Sequence, residues 1–363
     1  MGEPAEWIAL TLAPNLGPRR IARVFRETGS IDSFFSAQTE SLSQILNIKQ
    51  DAIKAVLRAI DLQKGRALVK LCRDRGVAVT TLDSPDYPDL LREIYDPPPV
   101  LYYRGQLPGT NLVAAVGSRK ATRYGRTVTA RLIPELCRAG LGIVSGLAVG
   151  IDACAQWAAL NAGGYTAAVL GNGVDIYYPA VNTQLQNAIV EKGGCLLSEF
   201  PPGCRPRADH FPRRNRIICG LCRGVLVVEA GLKSGAMITV SYALDQGRDV
   251  FAVPGNIDSP QSAGTNHLIG LGAKPILSSA DILEEYGLDL PLIQQPRQAM
   301  DLGAEEKNLL AYIDEQGVSA DELCYLTGLP GGVIMAKLAS LELKGAVARL
   351  PGLKYVRRAD TEV

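Results

Sequence analysis

Seven short apolar runs alternate with segments of helical periodicity in the middle of the chain. The runs are 112–116, 141–144, 166–170, 195–197, 225–228, 250–253 and 275–277. Polar residues do not alternate with apolar ones inside these runs, which is typical of strands buried on both faces of a sheet. Helical segments lie between most of them, including 126–138, 152–161, 183–191 and 237–246. This alternation predicts an open parallel α/β sheet of Rossmann type with right-handed crossovers.

Residues 1–65 have a different pattern, polar and helical with short apolar periods. A turn at Asn15, Leu16 and Gly17 precedes a basic helix that begins near Pro18, and residues 46–53 are a weaker second copy. The pattern predicts a small helical domain of the helix-hairpin-helix or SAM-like kind, whose turn amides hold a DNA phosphate without reading sequence. A small helical module that binds protein fits the same residues, and the sequence leaves both possibilities open.

The end of the chain predicts a winged helix over 304–363, after a linker rich in proline and glutamine at 291–303. Three helices are expected, at 304–315, from the Ser319 cap to 326, and at 333–343, followed by a hairpin at 346–350 and 354–357. The predicted recognition helix carries only Lys337 and Glu342 as charges, which is poor equipment for reading a major groove. Docking to protein and binding to DNA both stay open. The central domain is then 66–290, with an extended lead-in at Pro97, Pro98 and Pro99.

Composition bounds the class of protein. The chain has 363 residues, 47% of them hydrophobic, with 38 Lys and Arg against 37 Asp and Glu. This length predicts two or three domains, and the apolar content excludes wholesale disorder. No apolar run approaches the roughly 20 residues of a membrane span, and Glu3 and Glu6 without a basic segment argue against a secretory signal. We therefore expect a cytoplasmic protein with no membrane partner and, because it has only two histidines, no metal site.

The near-neutral total hides a local excess of positive charge. Between residues 201 and 223, Asp209 is the single acid against six arginines, Arg205, Arg207, Arg213, Arg214, Arg216 and Arg223. Phe211 lies among them. Guanidinium groups pair bidentately with phosphates, and an aromatic ring offers a stacking face to an unpaired base, so the cluster favours single-stranded nucleic acid. The alternative is that Phe211 is a core anchor and that some arginines form structural ion pairs.

Glycine follows several predicted strands, mostly beside serine, asparagine or a basic residue. In an open parallel sheet, ligands bind beyond the carboxyl ends of the strands, where loops expose backbone N–H groups. These loops therefore predict a phosphate-binding edge, although tight turns need glycine whatever they bind. The candidate residues at this edge are Gly117, Ser118, Arg119, Lys120, Ser145, Gly146, Lys233, Ser234 and Gly235.

The same loops contain neither a dinucleotide fingerprint nor the spacing of a Walker loop, so no nucleotide cofactor is expected. Asp152 and Glu229 follow predicted strands and are the available acid or base, but no serine has a histidine in a recognisable motif and no carboxylates pair for hydrolysis. We expect a protein without catalytic activity. Two other classes are weighed against it, a nucleotide-binding Rossmann enzyme of the phosphoribohydrolase type that uses Glu229, and a sensor for a small nucleotide.

A set of motifs spread over residues 100–285 resembles the DNA processing protein A (DprA, or Smf) family. They are Val116-Gly117-Ser118-Arg119, Ser145-Gly146-Leu147-Ala148, Gly150-Ile151-Asp152, Val169-Leu170-Gly171, Tyr178-Pro179, Ser198-Glu199, Phe211-Pro212, Arg214-Asn215-Arg216, Val227-Val228-Glu229-Ala230, Ser234-Gly235 and Val253-Pro254-Gly255. The resemblance implies an extended Rossmann-like fold that binds single-stranded DNA without a cofactor. It also implies a homodimer that protects incoming strands during natural transformation and loads the RecA recombinase onto them.

Carried over by motif, the resemblance implies DNA contacts by Gly117, Ser118 and Arg119, by Arg214 and Arg216 around Asn215, and by Lys233, Ser234 and Gly235. Arg213 lies where the family often has a basic residue. One departure follows Asp152, where the usual histidine of the family is replaced by Gln156. The proposed dimer contacts are Leu268, Ile269 and Leu271, with a buried core helix as the alternative reading of these three.

Overall fold

The computed structural model describes residues 2–36, 39–288, 303–313, 317–344, 346–350 and 354–357. The chain divides into two compact units, residues 1–291 and 292–363. The linker predicted at 291–303 lies outside the described residues except for Gly303. Residues 314–316 of the predicted helix at 304–315 and of the segment after it, and residues 358–363 of the predicted winged helix, also lie outside them.

A nine-stranded sheet forms the centre of the first unit. Its strands are β1 Ala78–Thr81, β2 Val100–Gly105, β3 Leu112–Gly117, β4 Gly142–Ser145, β5 Thr166–Val169, β6 Cys195–Ser198, β7 Gly224–Glu229, β8 Asp249–Ala252 and β9 Lys274–Pro275. They lie in the order β1-β2-β6-β5-β4-β3-β7-β8-β9. The seven strands from β6 to β9 are parallel, which confirms the predicted α/β sheet, and β1 and β2 extend it antiparallel beside β6.

Fourteen α-helices and one 3-10 helix, Ala180–Asn182, are described in the first unit. The α-helices are α1 Pro4–Leu12, α2 Pro18–Thr28, α3 Asp32–Ser36, α4 Thr39–Leu46, α5 Gln50–Ala59, α6 Leu62–Asp74, α7 Asp89–Arg92, α8 Arg123–Arg138, α9 Ile151–Asn161, α10 Thr183–Glu191, α11 His210–Gly220, α12 Ala236–Asp245, α13 Ala263–Gly270 and α14 Ala280–Glu285. The predicted helices at 126–138, 152–161, 183–191 and 237–246 correspond to α8, α9, α10 and α12.

The apolar strands are continuous because both faces of the sheet are buried. Along β3, Ala114 and Val116 pack into one apolar cluster while Val113 and Ala115 pack into the other, since successive side chains point to opposite faces. Helices cover both clusters: α8 supplies Leu132 and Ile133 to one, and α10, α11 and α12 contribute to the other. A strand with both faces buried has no polar face, which explains the unbroken apolar runs.

The N-terminal helices are packed onto this sheet domain. Helix α1 packs against α6 and against β1 and β2, and α6 passes through residue 65, where the sequence predicts a domain boundary. Two helix–turn–helix pairs are present, α1 with α2 and α4 with α5. Each turn holds an asparagine in the left-handed region, Asn15 at φ 64° and Asn47 at φ 52°.

The second unit has the predicted winged-helix elements. They are α15 Ala304–Leu310, β10 Val318–Ser319, α16 Ala320–Thr327, α17 Gly331–Leu343, β11 Val347–Leu350 and β12 Lys354–Arg357, with the strands in the order β10-β12-β11. Ser319 caps α16, because its side chain accepts from the backbone N–H of Glu322 at 3.2 Å. Leu310, Ile334 and Leu338 are fully buried in a core that belongs to this unit alone.

Among the described residues, no single helix has the length and apolar character to cross a membrane. The helices Ala320–Thr327 and Gly331–Glu342 pass that test only together, by length and composition, and they are bent by 115° at the break between them.

Candidate nucleic-acid interface

A cleft of about 850 Å³ lies beyond the carboxyl ends of the parallel strands. It follows the crevice between β3 and β7, where the strand order reverses, as expected for ligand sites in open α/β sheets. Ten of the fourteen predicted DNA-contact residues line it, namely Gly117, Ser118, Arg119, Lys120, Phe211, Arg214, Asn215, Lys233, Ser234 and Gly235. The other four, Ser145, Gly146, Arg213 and Arg216, lie beside or beneath it.

The loop after β3 is held in place by its own hydrogen bonds. Ser118 is buried, its Oγ donates to Gln261 Oε1 at 3.0 Å, and it accepts from the N–H of Lys120 at 3.1 Å. Gly150, at φ 89°, lets a neighbouring loop pass very close, because a Cβ there would be 2.2 Å from the carbonyl oxygen of Ser118. The loop is therefore a fixed platform from which Arg119 and Lys120 extend.

Three cations at the cleft are exposed and have no carboxylate partner. Arg119 and Lys120 extend from the loop after β3, and Lys233 extends from the loop after β7. None of the three forms an ion pair with any residue that the structure describes. Their charge is therefore available to an anionic ligand.

Arg214 lies under the cleft and joins the ends of two strands. Its guanidinium donates to the carbonyl oxygen of Gly146, which follows β4, at 2.7 Å and to that of Val169, at the end of β5. Any residue other than glycine is excluded at position 146, because a Cβ there would be 2.1 Å from Nη2 of Arg214. Arg214 is only 5% exposed. Burial lowers its pKa to about 10, against the opposing effect of Asp152, so it stays charged at neutral pH.

Asp152 is the buried acid near this guanidinium. Its Oδ2 accepts from the backbone N–H of Gly146 at 3.1 Å and of Ala148 at 3.4 Å. Burial raises the pKa of this carboxyl, while Arg214 and the two amides act in the opposite direction. The carboxylate thereby fixes the loop after β4, which is a structural use of the acid that the sequence offered as a candidate base.

Arg216 and Arg213 share one carboxylate. Arg216 is 2% exposed, its Nη2 lies 2.6 Å from Glu199 Oε2, and its Nε lies 3.4 Å from Asp96 Oδ2. Arg213 is largely exposed and approaches the same Glu199 oxygen at 3.2 Å. Arg216 does not line the cleft, and a direct contact with phosphate would require these two buried ion pairs to open. In this structure it positions α11.

Phe211 and Tyr178 form an aromatic pair on the wall of the cleft. Their ring centroids are 5.4 Å apart, and Phe211 also packs over Gly171, where a Cβ would be 2.9 Å from its ring. Tyr178 is partly exposed and lines the same cleft. Phe211 therefore packs on the sheet at Gly171 and also presents its ring beside the cations of the cleft.

Two helix N-termini at this edge differ in what they hold. The N-terminus of α8 is occupied by the carboxylate of Glu229, which accepts from the N–H of Thr122 at 2.9 Å and from its Oγ1 at 2.6 Å. The N-terminus of α12, at Ser234 and Gly235, opens into the cleft, and Gly235 has free space around it. The positive end of α12 therefore faces the cleft, with its first amide, that of Ala236, donating to Ser234 Oγ at 3.3 Å, whereas that of α8 is filled by the carboxylate of Glu229.

The remaining predicted residues are structural or peripheral in this arrangement. Ser145 is fully buried and its Oγ donates to the carbonyl oxygen of Ala115 at 2.6 Å. Gln156 is also buried, away from the cleft, and donates to the carbonyl oxygen of Ala167 at 3.2 Å. Of the proposed dimer contacts, Leu268 is buried in the core, Ile269 is half-buried and Leu271 is 72% exposed.

Sequence reasoning did not assign several residues that line the cleft. They include Tyr178, Ile238 and Gln261, which come from segments distant in sequence, whereas Arg207 of the arginine cluster also lines the cleft. Tyr178 belongs to the Tyr178-Pro179 motif of the family resemblance, but nothing in its sequence context predicts that it lines the cleft. No group of three or more His, Cys, Asp or Glu side chains suited to a metal ion occurs among the described residues.

Comparison with known proteins gives matches over nearly the whole chain. Residues 78–287 match the family described as DNA recombination-mediator protein A, and residues 294–353 match the DprA winged helix domain. Protein Smf of Synechocystis sp. is 34% identical over 98% of this chain and 99% of its own length.

Two solved structures are also similar. DNA processing protein A of Streptococcus pneumoniae superposes with a TM-score of 0.68 at 37% identity, covering 78% of this chain and 98% of its own. DNA processing protein A of Helicobacter pylori, whose structure concerns its mode of binding single-stranded DNA, has a TM-score of 0.51 at 30% identity, covering 58% and 95% of the two chains.

Proposed function

The chain belongs to the DNA recombination-mediator protein A family of DNA-processing proteins, also named DprA or Smf, and on that premise we propose that it binds single-stranded DNA without reading its sequence. The observation that carries the proposal is the set of three unpaired cations, Arg119, Lys120 and Lys233, around a cleft whose wall holds the Phe211–Tyr178 pair. Unpaired cations attract the phosphate backbone, which has no sequence information.

The aromatic pair supports a single strand over a duplex. A base stacks on an aromatic side chain only when its face is free, as in an unpaired strand, and such stacking tolerates any base. The positive end of α12, which faces the cleft beside Lys233, also supports an anionic ligand there. The single-stranded DNA binding of the Helicobacter pylori protein is consistent with this assignment.

We further propose that the protein acts in the cytoplasm as a homodimer that protects incoming strands during natural transformation and loads RecA onto them. The support is the family membership together with the cleft described above. Leu271, exposed beside the buried Leu268, supports a dimer contact near the end of α13.

We also propose that the protein is not an enzyme. Glu229, the acid that a phosphoribohydrolase reading requires, is 1% exposed and both of its oxygens accept hydrogen bonds from Thr122. A carboxylate held in this way stabilises the N-terminus of α8 and is poorly placed to exchange protons with a substrate. Release of free base from nucleoside monophosphates, abolished by Glu229→Gln, would reverse this conclusion.

Fluorescence-anisotropy titration of an oligo-dT strand against a matched duplex, over a series of salt concentrations, tests the main proposal. We expect tighter binding of the single strand, with an affinity that falls as salt rises in proportion to the phosphates contacted. Equal affinity for strand and duplex would contradict the single-strand assignment, and salt-independent binding would contradict the role of the cations.

A further inference from the structure

Helix α2, near the start of the chain, carries an exposed row of arginines. Arg19, Arg23 and Arg26 are spaced four and three residues apart, so they lie within about 60° of one another around the helix axis and over about 10 Å of its length. Arg20 lies beside them, and all four residues are exposed. We call these four residues the arginine row.

The charge of the arginine row is not neutralised within the described residues, where none of its members forms an ion pair. Arg20 donates to the carbonyl oxygen of Asn15, and Arg26 Nη1 donates to that of Tyr95 at 3.2 Å. The Arg23 side chain has no hydrogen bond or ring contact with any described residue. Like charges three and four residues apart destabilise a helix, so a ligand with negative charge along its length would stabilise α2.

An exposed aromatic ring lies beside the arginine row. Tyr95 is 67% exposed, and the guanidinium carbon of Arg19 lies 4.4 Å from the centroid of its ring. Its backbone is tied to two helices, because Arg26 of α2 donates to its carbonyl oxygen and the next residue, Asp96, pairs with Arg216 of α11 at 3.4 Å. The ring is therefore held in place while most of its surface is open to an unpaired base.

The first turn of α11 connects the wall of the cleft with the beginning of α2. Phe211 lines the cleft, whereas Arg213, two residues later, lines a smaller cavity together with Pro18, the first residue of α2. Arg213 is exposed and shares the Glu199 carboxylate with Arg216, so this junction has more positive than negative charge. An anionic chain that leaves the cleft beside Phe211 would therefore meet an exposed arginine before it reaches α2.

We propose that the arginine row and Tyr95 form a second contact for the same single strand of DNA, beyond the cleft. This inference rests on the proposed function. The row has four positive charges and α2 has one acid, Glu27, which complements a phosphate backbone. Unpaired cations beside an aromatic ring repeat the chemistry of the cleft, and this favours a single strand over an acidic protein surface. The N-terminal helices then hold DNA through the side chains of a helix and not through the amides of a turn.

The substitution Arg23→Ala tests the second contact without endangering the fold, because the fold makes no use of this side chain. Alanine is the best helix former and removes like-charge neighbours, so the variant should unfold at the same temperature as the wild type or slightly higher. Binding is measured by anisotropy for oligo-dT strands from about 4 to about 16 nucleotides long. We expect unchanged affinity for the shortest strands, which the cleft alone holds. The longest should lose about five- to tenfold in affinity, and the salt slope should fall by about one unit.

Arg138→Ala is the matched control. Arg138 is exposed, forms no ion pair with a described residue, and lies in the last turn of α8, at the edge of the sheet opposite the cleft. Its removal lowers the net charge by one, as Arg23→Ala does, and this variant should bind strands of every length as the wild type does. A second variant, Tyr95→Leu, keeps an apolar side chain but removes the ring, and it should lose about fivefold in affinity for the longest strands only.

Four outcomes would contradict these expectations. An Arg23→Ala protein that binds strands of all lengths like the wild type, or an Arg138→Ala protein that loses as much, would overturn the second contact. A loss confined to a matched duplex would assign the arginine row to duplex DNA and overturn it as well. Full affinity of Tyr95→Leu for the longest strands would overturn the stacking role of the ring. Failure of the wild type to bind any single strand would instead remove the proposed function, and the second contact with it.

Discussion

The cleft and the recognition helix α17 of the winged helix both carry cations, but the two regions use them differently. In the cleft, Arg119, Lys120 and Lys233 are exposed and form no ion pair with a described residue. In the winged helix, Lys337 pairs with Glu305, and Lys344 Nζ lies 2.7 Å from Glu306 Oε2. The number of basic residues on a surface therefore says little about its affinity for DNA until their partners are known.

The helices α16 and α17 of the winged helix expose several large apolar side chains. Tyr325 is 90% exposed, and Leu326, Val333 and Met335 are exposed near it on α16 and α17. A recognition helix whose single lysine, Lys337, is paired and which exposes Val333 and Met335 is poorly suited to phosphate. Of the two roles that the sequence left open for this domain, this favours docking to protein.

The largest expected effect is on the free energy of unfolding, which should fall when a buried cation of the cleft is removed and change little when an exposed one is removed. Arg214→Ala removes the donor that joins the carbonyl oxygens of Gly146 and Val169 and leaves Asp152 without its nearby positive charge. We expect the free energy of unfolding to fall by about 3 kcal/mol. Urea denaturation followed by circular dichroism measures the change. Lys120→Ala, at an exposed site, should leave stability within about 0.5 kcal/mol of the wild type, and an equal loss in both variants would remove the distinction.

A second prediction compares the two regions in DNA binding. Arg119→Ala and Lys233→Ala should each weaken binding of single-stranded DNA by about tenfold, whatever its sequence, and lower the salt slope by about one unit. Lys337→Ala should leave the affinity unchanged, because that lysine is already paired with Glu305. Anisotropy titrations at several salt concentrations measure all three. Equal losses in the three variants would show that the winged helix contributes to the interface as much as the cleft.

The smallest effect concerns the ion pairs of the winged helix. The hydrogen bonds of Glu306 with Lys344, Ser340 and the amide of Gly303 lower the pKa of its carboxyl to about 2. Because the folded-state pKa lies below the unfolded value, this group stabilises the unit above about pH 4.5, and its contribution is lost as the pH falls toward 2. Glu306→Gln should therefore destabilise the unit by roughly 1 kcal/mol at neutral pH.

Amide hydrogen exchange in the described part of the winged helix, measured on the full chain, follows this difference against pH. The variant and the wild type should converge near pH 2. A difference that persists there would mean that the effect comes from packing of the side chain and not from its charge.

The sequence predicts the parallel strands well and the roles of the arginines poorly, for physical reasons. A strand buried on both faces must be apolar along its whole length, so the runs at 112–116 and 225–228 identify β3 and β7 directly. Strands β1 and β2 were missed. They carry Thr80, Thr81 and Arg104 among their residues and come with the proline run at 97–99, which the sequence predicts only as an extended lead-in.

The basic run at 213–216 was interpreted as one patch, but it lies on a helix. Successive residues of a helix are rotated by about 100°, so neighbours in sequence face different surroundings. Arg213 is exposed, Arg214 is buried under the cleft, and Arg216 is buried against Glu199. The apolar residues Ile217 and Ile218 directly follow the basic run. They indicate that the run belongs to a helix with one buried face.

Glu229 at the N-terminus of α8 has a consequence for how a strand leaves the protein. The first helix after the first parallel strand is where this class of fold offers its strongest hold on a phosphate, and here a carboxylate of the chain occupies it permanently. In the proposed complex, the strand is then retained by several modest contacts spread along its length. A polymer held in this way can detach one nucleotide at a time, so each step has a low barrier even when the total affinity is high. An incoming competitor could take over such a strand progressively from one end, which suits the proposed transfer of the strand to a recombinase.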